Sequence, residues 1–278
     1  MKSSVEPSEL RLKVHLYGEP SSNTLDLQEV AGYLKEKLGK ISVDVRGPLV
    51  AATSSEDAES LARKLAEAKV RDLTNPSVRT EPLPGEVEFE LKLLRDPSLR
   101  SAGVLYDGFR LHAVVQELLP AGELDMDHAH IVFTNRLFGT WDEGDGRYHA
   151  RVSIYGFPSL ISTTGIVEAP AKPKEYYILK QRYAALGGLI PLEELKERFR
   201  GRFIDYDDER LTEVMKGYVM QALLYHLTLD PFCSDKRCRL YNAHWQEEVL
   251  EAQLSQPEFC EQHSEMLEKL KRAFEGNP

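Results

Sequence analysis

Cys233, Cys238 and Cys260 are the only thiols in 278 residues, and with His263 they form two short knuckles, C-x4-C and C-x2-H, 21 residues apart. No other feature of the chain constrains its fold as much. Two ligand pairs joined by a helix-length spacer are how tetrahedral zinc sites are assembled from sequence. The spacer contains NAHWQEEVLEAQLSQ, residues 242–256, with Trp245, Val249, Ala252 and Leu254 available for one helical face. Pro257 then lets the chain turn back. The S-x-x-E pattern of Ser255 and Glu258 predicts another helix start, with Cys260 and His263 as an i,i+3 pair on its first turn. Three thiols, an odd number, do not suit a disulfide framework. The expectation is one structural zinc per chain, held by Cys233, Cys238, Cys260 and His263, in a closed site with no position left for water.

Upstream, LRLKVHLYG (residues 10–18) alternates as a strand, and SNTLDLQEVAGYLKEKLGK reads as a helix stopped at Gly39. ISVDVRGP (41–48) predicts a second strand. SSEDAESLARKLAEAKV predicts an amphipathic helix with a serine cap and an acidic first turn. VEFELKLLR (87–95) is read as a strand and YDGFRLHAVVQELLP (106–120) as a helix. This order argues for an α/β layer, with an α+β tendency, around a mainly parallel sheet. The runs 129–139 and 147–157, either side of TWDEGDG, predict a hairpin. Gly165, Pro170 and Pro173 make 159–177 an ordered loop or lid, and EAPAKPKEYY within it a spacer or a cleft lining. A long helix is expected from about Asp207 to Leu229. The organisation expected is one domain over 1–278, with an α/β portion at 1–206 and a helical, zinc-stapled portion at 207–278.

The chain carries 45 acidic against 35 basic side chains, a formal charge of -10, so it repels a phosphate backbone and nucleic acid is not an expected partner. No window reaches the apolar length needed to cross a bilayer, and the N-terminus has no secretory core. A cytoplasmic location, with reduced thiols, is the expectation. The oligomeric state has no signature in the sequence.

Around its cysteines the chain resembles the archaemetzincins, which carry H-E-x-x-H-x-x-G-x-x-H-C-x4-C-x-M followed by C-x-x-C. ALLYHLTLDPFCSDKRCRL and CEQH meet this pattern over roughly the last sixty residues. Cys233, Cys238 and Cys260 match cysteines, His263 replaces the fourth, and Leu240 stands at the methionine. In the catalytic half only His226 matches a ligand. Ala222 and Phe232 stand at the other two histidines, Leu223 at the general-base glutamate and Leu229 at the glycine. The chain resembles more closely an uncharacterised archaemetzincin-like family whose peptidase activity is inferred. The resemblance implies a metzincin-like fold and a structural zinc, with the water-activating machinery gone.

A second set of histidines competes for attention. On an extended ELDMDHAHIVF, His128 and His130 share one face, beside Asp125 and Asp127. His149 could approach across the hairpin, and with His226 these would build a non-standard catalytic site. The simpler reading makes them polar positions on a sheet edge or under a loop. His226 on its helix suits a core or interface role equally well. DEGDG lacks the remaining ligands of a calcium loop and reads as a turn. STTG is no nucleophile elbow and reads as a cap. Trp141 and Trp245 are expected packing anchors. Three functions remain: a zinc-stapled protein with a degenerate peptidase site, an active metallohydrolase on a non-standard histidine set, and a module that holds a peptide or protein ligand without cleaving it.

Overall fold

The computed structural model describes residues 11–52, 55–101, 103–187 and 191–276. β1 (Lys13–Tyr17) is buried at every position after Lys13, as a strand covered on both faces must be. Its alternation sends Val14 and Leu16 into the main core and Tyr17 into a second cluster on the opposite face, with His15 on Tyr17's side. α1 (Leu27–Leu38) starts where the Asp26 carboxylate accepts from the amides of Gln28 and Glu29, and stops at Gly39, whose φ of 72° is left-handed. Val30, Leu34 and Leu38 recur at helical spacing and are buried against the sheet. β2 (Ser42–Arg46) returns parallel to β1. α2 (Ser55–Glu67) follows, and the serine cap expected at its start falls at the edge of the described residues.

The run 87–95 is not a strand. It belongs to α3 (Pro84–Arg95), which has proline in its first turn and the Glu86 carboxylate accepting from the Leu83 amide. Its buried residues Val87, Glu90 and Leu93 are three apart, a helical period that its V-F-L alternation masks. Glu90 is fully buried. It pairs with Lys69 at 2.9 Å and Arg136 at 2.9 Å, and accepts from the Tyr106 hydroxyl at 2.7 Å. β3 (Leu105–Asp107) takes the first residues of the helix expected over 106–120, and Asp107 caps what remains, α4 (Gly108–Gln116).

The expected hairpin is only partly realised. β4 (His128–Thr134) leaves it to pair in parallel with β1, while β5 (Leu137–Asp142) and β6 (Arg147–Arg151) close across the Asp142–Gly146 turn. β7 (Ser153–Ile154) and β8 (Ser159–Ser162) return to the first sheet. The two sheets run β2-β1-β4-β8-β7 and β3-β5-β6, the first parallel except at β7.

Residues 159–168 are no lid: β8 and α5 (Thr163–Glu168) are buried, with Ser162 capping the helix through the Gly165 amide. Their hydroxyls misled because they bond inward; Ser162 and Thr164 donate to the carbonyls of Arg136 and Asn135. Glu19 lies buried beside α5, accepting from the Ser21 amide and hydroxyl, with Thr163 within reach. Burial raises its carboxyl above the usual range, against the pull of these hydrogen bonds and of Arg100. The folded state therefore prefers protonated Glu19. That contribution is present below the unfolded pKa of about 4.3 and fades as pH rises through the native value. Glu19→Gln should gain stability relative to the parent between pH 4 and pH 7, read by urea unfolding at both; a gap that shrinks with rising pH refutes this.

α6 (Lys174–Ala185) and α7 (Leu192–Arg198) join through Tyr176, Leu195, Phe199 and Phe203. EAPAKPKEYY therefore ends in a helix, and Pro170 borders a cleft described below. α8 (Leu211–Thr228) runs through the core beside α1, α9 (Gln246–Leu254) packs on α8, and α10 (Glu261–Phe274) packs on α1. Trp141 does pack, edge-on to Tyr148, but Trp245 is substantially exposed. Among the described residues no helix is long and apolar enough to cross a membrane.

Gly217 in α8 lets Arg239 and Gln253 approach. A Cβ there would fall 1.7 Å from Gln253 Oε1 and 2.8 Å from Arg239 Cγ. Neither can swing away, because Gln253 donates to the Arg239 carbonyl and Arg239 to that of Gln253. Gly217→Ala should cost roughly 1–3 kcal/mol by overpacking, outweighing a propensity gain of about 1 kcal/mol; denaturant midpoints measure it, and an unchanged midpoint contradicts the packing.

Candidate metal centres

Cys233, Cys238, Cys260 and His263 converge, with their four ligand atoms within 4.8 Å of one another. Cys233 Sγ lies 3.8 Å from Cys260 Sγ, and His263 Nδ1 lies 3.8 Å from Cys238 Sγ and 3.1 Å from Cys260 Sγ. Tetrahedral zinc with bonds of about 2.3 Å to sulfur and about 2.0–2.1 Å to nitrogen needs S···S near 3.8 Å and S···N near 3.5 Å.

Local backbone sets this up. The Cys233 amide bonds the Leu240 carbonyl, closing a loop in which the Asp235 amide points at Cys233 Sγ at 3.3 Å. Cys260 is the N-cap of α10, which places His263 on the first turn, as expected. The expected helix start at Ser255 and Glu258 is displaced to Cys260. Glu258 instead accepts from Tyr33 of α1 at 2.8 Å. Burial pushes the Cys238 thiol up to about 12 and raises Cys233, and it lowers His263. Without a metal Cys233, Cys238 and His263 thus favour their neutral forms, so metal uptake would displace the two thiol protons.

A second group gathers His15 of β1, His128 and His130 of β4, and Glu123 of the 3-10 turn Ala121–Glu123, again with ligand atoms within 4.8 Å. The parallel register sets His15 opposite His130 and Lys13 opposite His128, so all three rings share a face. They are between 2% and 8% exposed, enough to make an unpaired charge costly there. His15 Nε2 lies 3.1 Å from His128 Nδ1 and 3.8 Å from Glu123 Oε2. His130 Nδ1 meets the Tyr17 hydroxyl at 3.0 Å, and its Nε2 meets the Glu123 carbonyl at 2.9 Å. Burial lowers both His15 and His130, favouring neutral imidazoles. Arg46 grips Glu123 with both guanidinium nitrogens, at 2.6 and 2.7 Å, and holds its carboxyl down to about 2.

His128 and His130 share a face as expected, but the other expected partners stand apart. His149 lies in the second sheet and faces Asp145 at 2.8 Å. His226 bonds the Met126 carbonyl at 2.8 Å and is separated from His130 by Phe157, which contacts both rings. Asp125 shapes the turn before β4, accepting from the Asp127 amide. His15 and Glu123 escaped sequence reasoning. Alternation puts His15 on the face of Tyr17, but only the pairing of strands more than a hundred residues apart brings it to His130.

A third feature is a cleft of about 440 Å³ along α8, lined by Tyr155, Tyr218, Gln221, Tyr225 and Phe232 and bordered by the edge strand β7. Ala222 and Leu223, at the first histidine and glutamate of the archaemetzincin motif, are buried in the core. His244 is on the cleft wall, but among the described residues no cluster of three or more metal-ligating side chains lies there.

Residues 10–270 match the Probable metallopeptidase family (DUF6775). The match spans most of the chain, and the protein belongs to that family. No curated protein matches the sequence. A solved structure, archaemetzincin from Methanopyrus kandleri, aligns over 95% of this chain and 97% of that one, at 13% identity and a TM-score of 0.43.

Proposed function

We propose that this member of a probable metallopeptidase family is a single-domain zinc protein whose α8 cleft holds an extended peptide without cleaving it. Cys233, Cys238, Cys260 and His263 would hold one structural zinc, a closed set that supplies no water-activating position. The observation that carries the reading is the cleft itself. Tyr218, Gln221 and Tyr225 of α8 line it, with Phe232 opposite and His244 as a lone histidine on its wall, a surface for holding a chain rather than for activating water. Among the described residues β7 pairs only with β8, so its outer edge beside the cleft can take an added strand while the tyrosines supply side-chain pockets. One hydrophobic cluster running from Leu12 to Phe274 supports a single domain. A reducing cytoplasm suits thiol ligands, and the negative net charge disfavours nucleic acid.

Titrating the zinc-loaded protein with a library of extended peptides tests this. Binding without turnover is expected, weakened roughly fivefold or more by Tyr225→Ala or Phe232→Ala, the scale of losing an aromatic anchor. Metal-dependent peptide hydrolysis lost in those variants would overturn it.

A second reading, an active hydrolase on a non-standard histidine set, is favoured by the meeting of His128 and His130 with His15 and Glu123. It differs in its readout, since hydrolysis would be lost in His130→Gln and retained in Phe232→Ala.

A further inference from the structure

We propose that His15, His128, His130 and Glu123 form a second metal site, independent of the cysteine centre, for a divalent transition ion of the zinc class. Three imidazoles and one carboxylate are the donor set that zinc and its neighbours prefer over calcium or magnesium. They arrive from three separate segments, β1, β4 and the turn Ala121–Glu123, onto one patch of sheet.

The distances suit an ion. His15 Nε2 has His128 Nδ1 at 3.1 Å and Glu123 Oε2 at 3.8 Å. These bracket the separation of about 3.3 Å between donors on tetrahedral zinc with bonds of about 2.0–2.1 Å. As a purely hydrogen-bonded network the cluster is incomplete. His15 Nδ1 is buried with no hydrogen-bond partner, and the nearest acceptor, Asp44 Oδ2, stands 3.5 Å away. A cation on Nε2 fixes the proton on Nδ1 and strengthens its pull toward Asp44, the carboxylate–histidine–metal arrangement that orients ligands in zinc sites. His130 Nδ1 meets Tyr17, which Arg46 in turn holds at 3.0 Å, and its Nε2 would exchange the Glu123 carbonyl at 2.9 Å for the ion.

Arg46 supplies the element of control. It grips Glu123, so the ion must share that carboxylate with a guanidinium or displace it. The guanidinium thus balances the charge of this carboxylate, and replacing Arg46 should tighten binding at this site alone.

Cobalt titration of the full-length, metal-stripped protein decides the matter, because only the cysteine centre can give an intense thiolate-to-cobalt charge-transfer band. Two equivalents should bind, one with that band and one with ligand-field absorption alone. Glu123→Gln, on a partly exposed turn, should weaken the second equivalent at least tenfold and leave the first unchanged. Arg46→Gln should strengthen the second. A wild-type protein that binds only the equivalent with the thiolate band, or one whose second equivalent is indifferent to both substitutions, overturns the proposal. Absence of the thiolate band would instead refute the cysteine centre, so the two failures are distinguishable.

Discussion

Stripping zinc from the cysteine centre with a chelator should lower the unfolding temperature of the whole chain and loosen α10 before anything else. Cys238 is 1% exposed, so removing the ion would leave three thiols and an imidazole facing one another in a half-dry pocket. A ligand that binds only the native state stabilises it by about 4 kcal/mol when present at a thousand times its dissociation constant. Structural zinc in small domains reaches about 10–16 kcal/mol of apparent binding energy. The loss here should sit toward the lower figure, because Leu267 and Phe274 of α10 also pack in the main core. Cys238→Ser should reproduce the chelator's effect and release the metal. Hydrogen exchange across Glu261–Phe274 is the local readout. Equal protection with and without chelator would show that no ion is fastening this part of the molecule.

Glu90→Ala should be the most damaging single substitution away from the metal centres. Glu90 is fully buried between Lys69 and Arg136, themselves less than a tenth exposed, and it accepts from Tyr106. Taking away the one carboxylate strands two cations in a low-dielectric interior. Breaking a buried ion pair this way costs about 3–5 kcal/mol, more than the pair gains over a well-packed apolar equivalent. Urea unfolding at neutral pH measures the loss. A cost near that of an ordinary surface substitution, below about 0.5 kcal/mol, would mean that water reaches the network.

The parts legible in the sequence are those whose information is local. α1 announces itself through its apolar spacing and Gly39, and α8 through a long stretch free of breakers and rich in apolar residues. The cysteine cluster is legible because each ligand pair lies within one turn of chain, so spacing alone fixes their approach. α3 was misread because V-E-F-E-L satisfies a period of two as well as a helical one, and only burial of Glu90 beside Val87 and Leu93 separates them. β8 and α5 were misread because serine, threonine and glycine look like loop chemistry when their hydrogen bonds run to distant backbone. The histidine cluster is the extreme case. His15 and His128 are separated by 113 positions and meet through a strand pairing that no short window records. Glu123 arrives on a turn with no pattern of its own.

The contact between α1 and α10 also governs how this protein is made. α1 leaves the ribosome before α10, yet Leu34 and Leu38 share their cluster with Leu267 and Phe274, and Lys271 reaches the Glu36 carbonyl. Until α10 has been made, part of the apolar stripe of α1 lacks its cover. Ribosome-bound intermediates stalled before α10 should therefore be held by chaperones, while chains that include it are released.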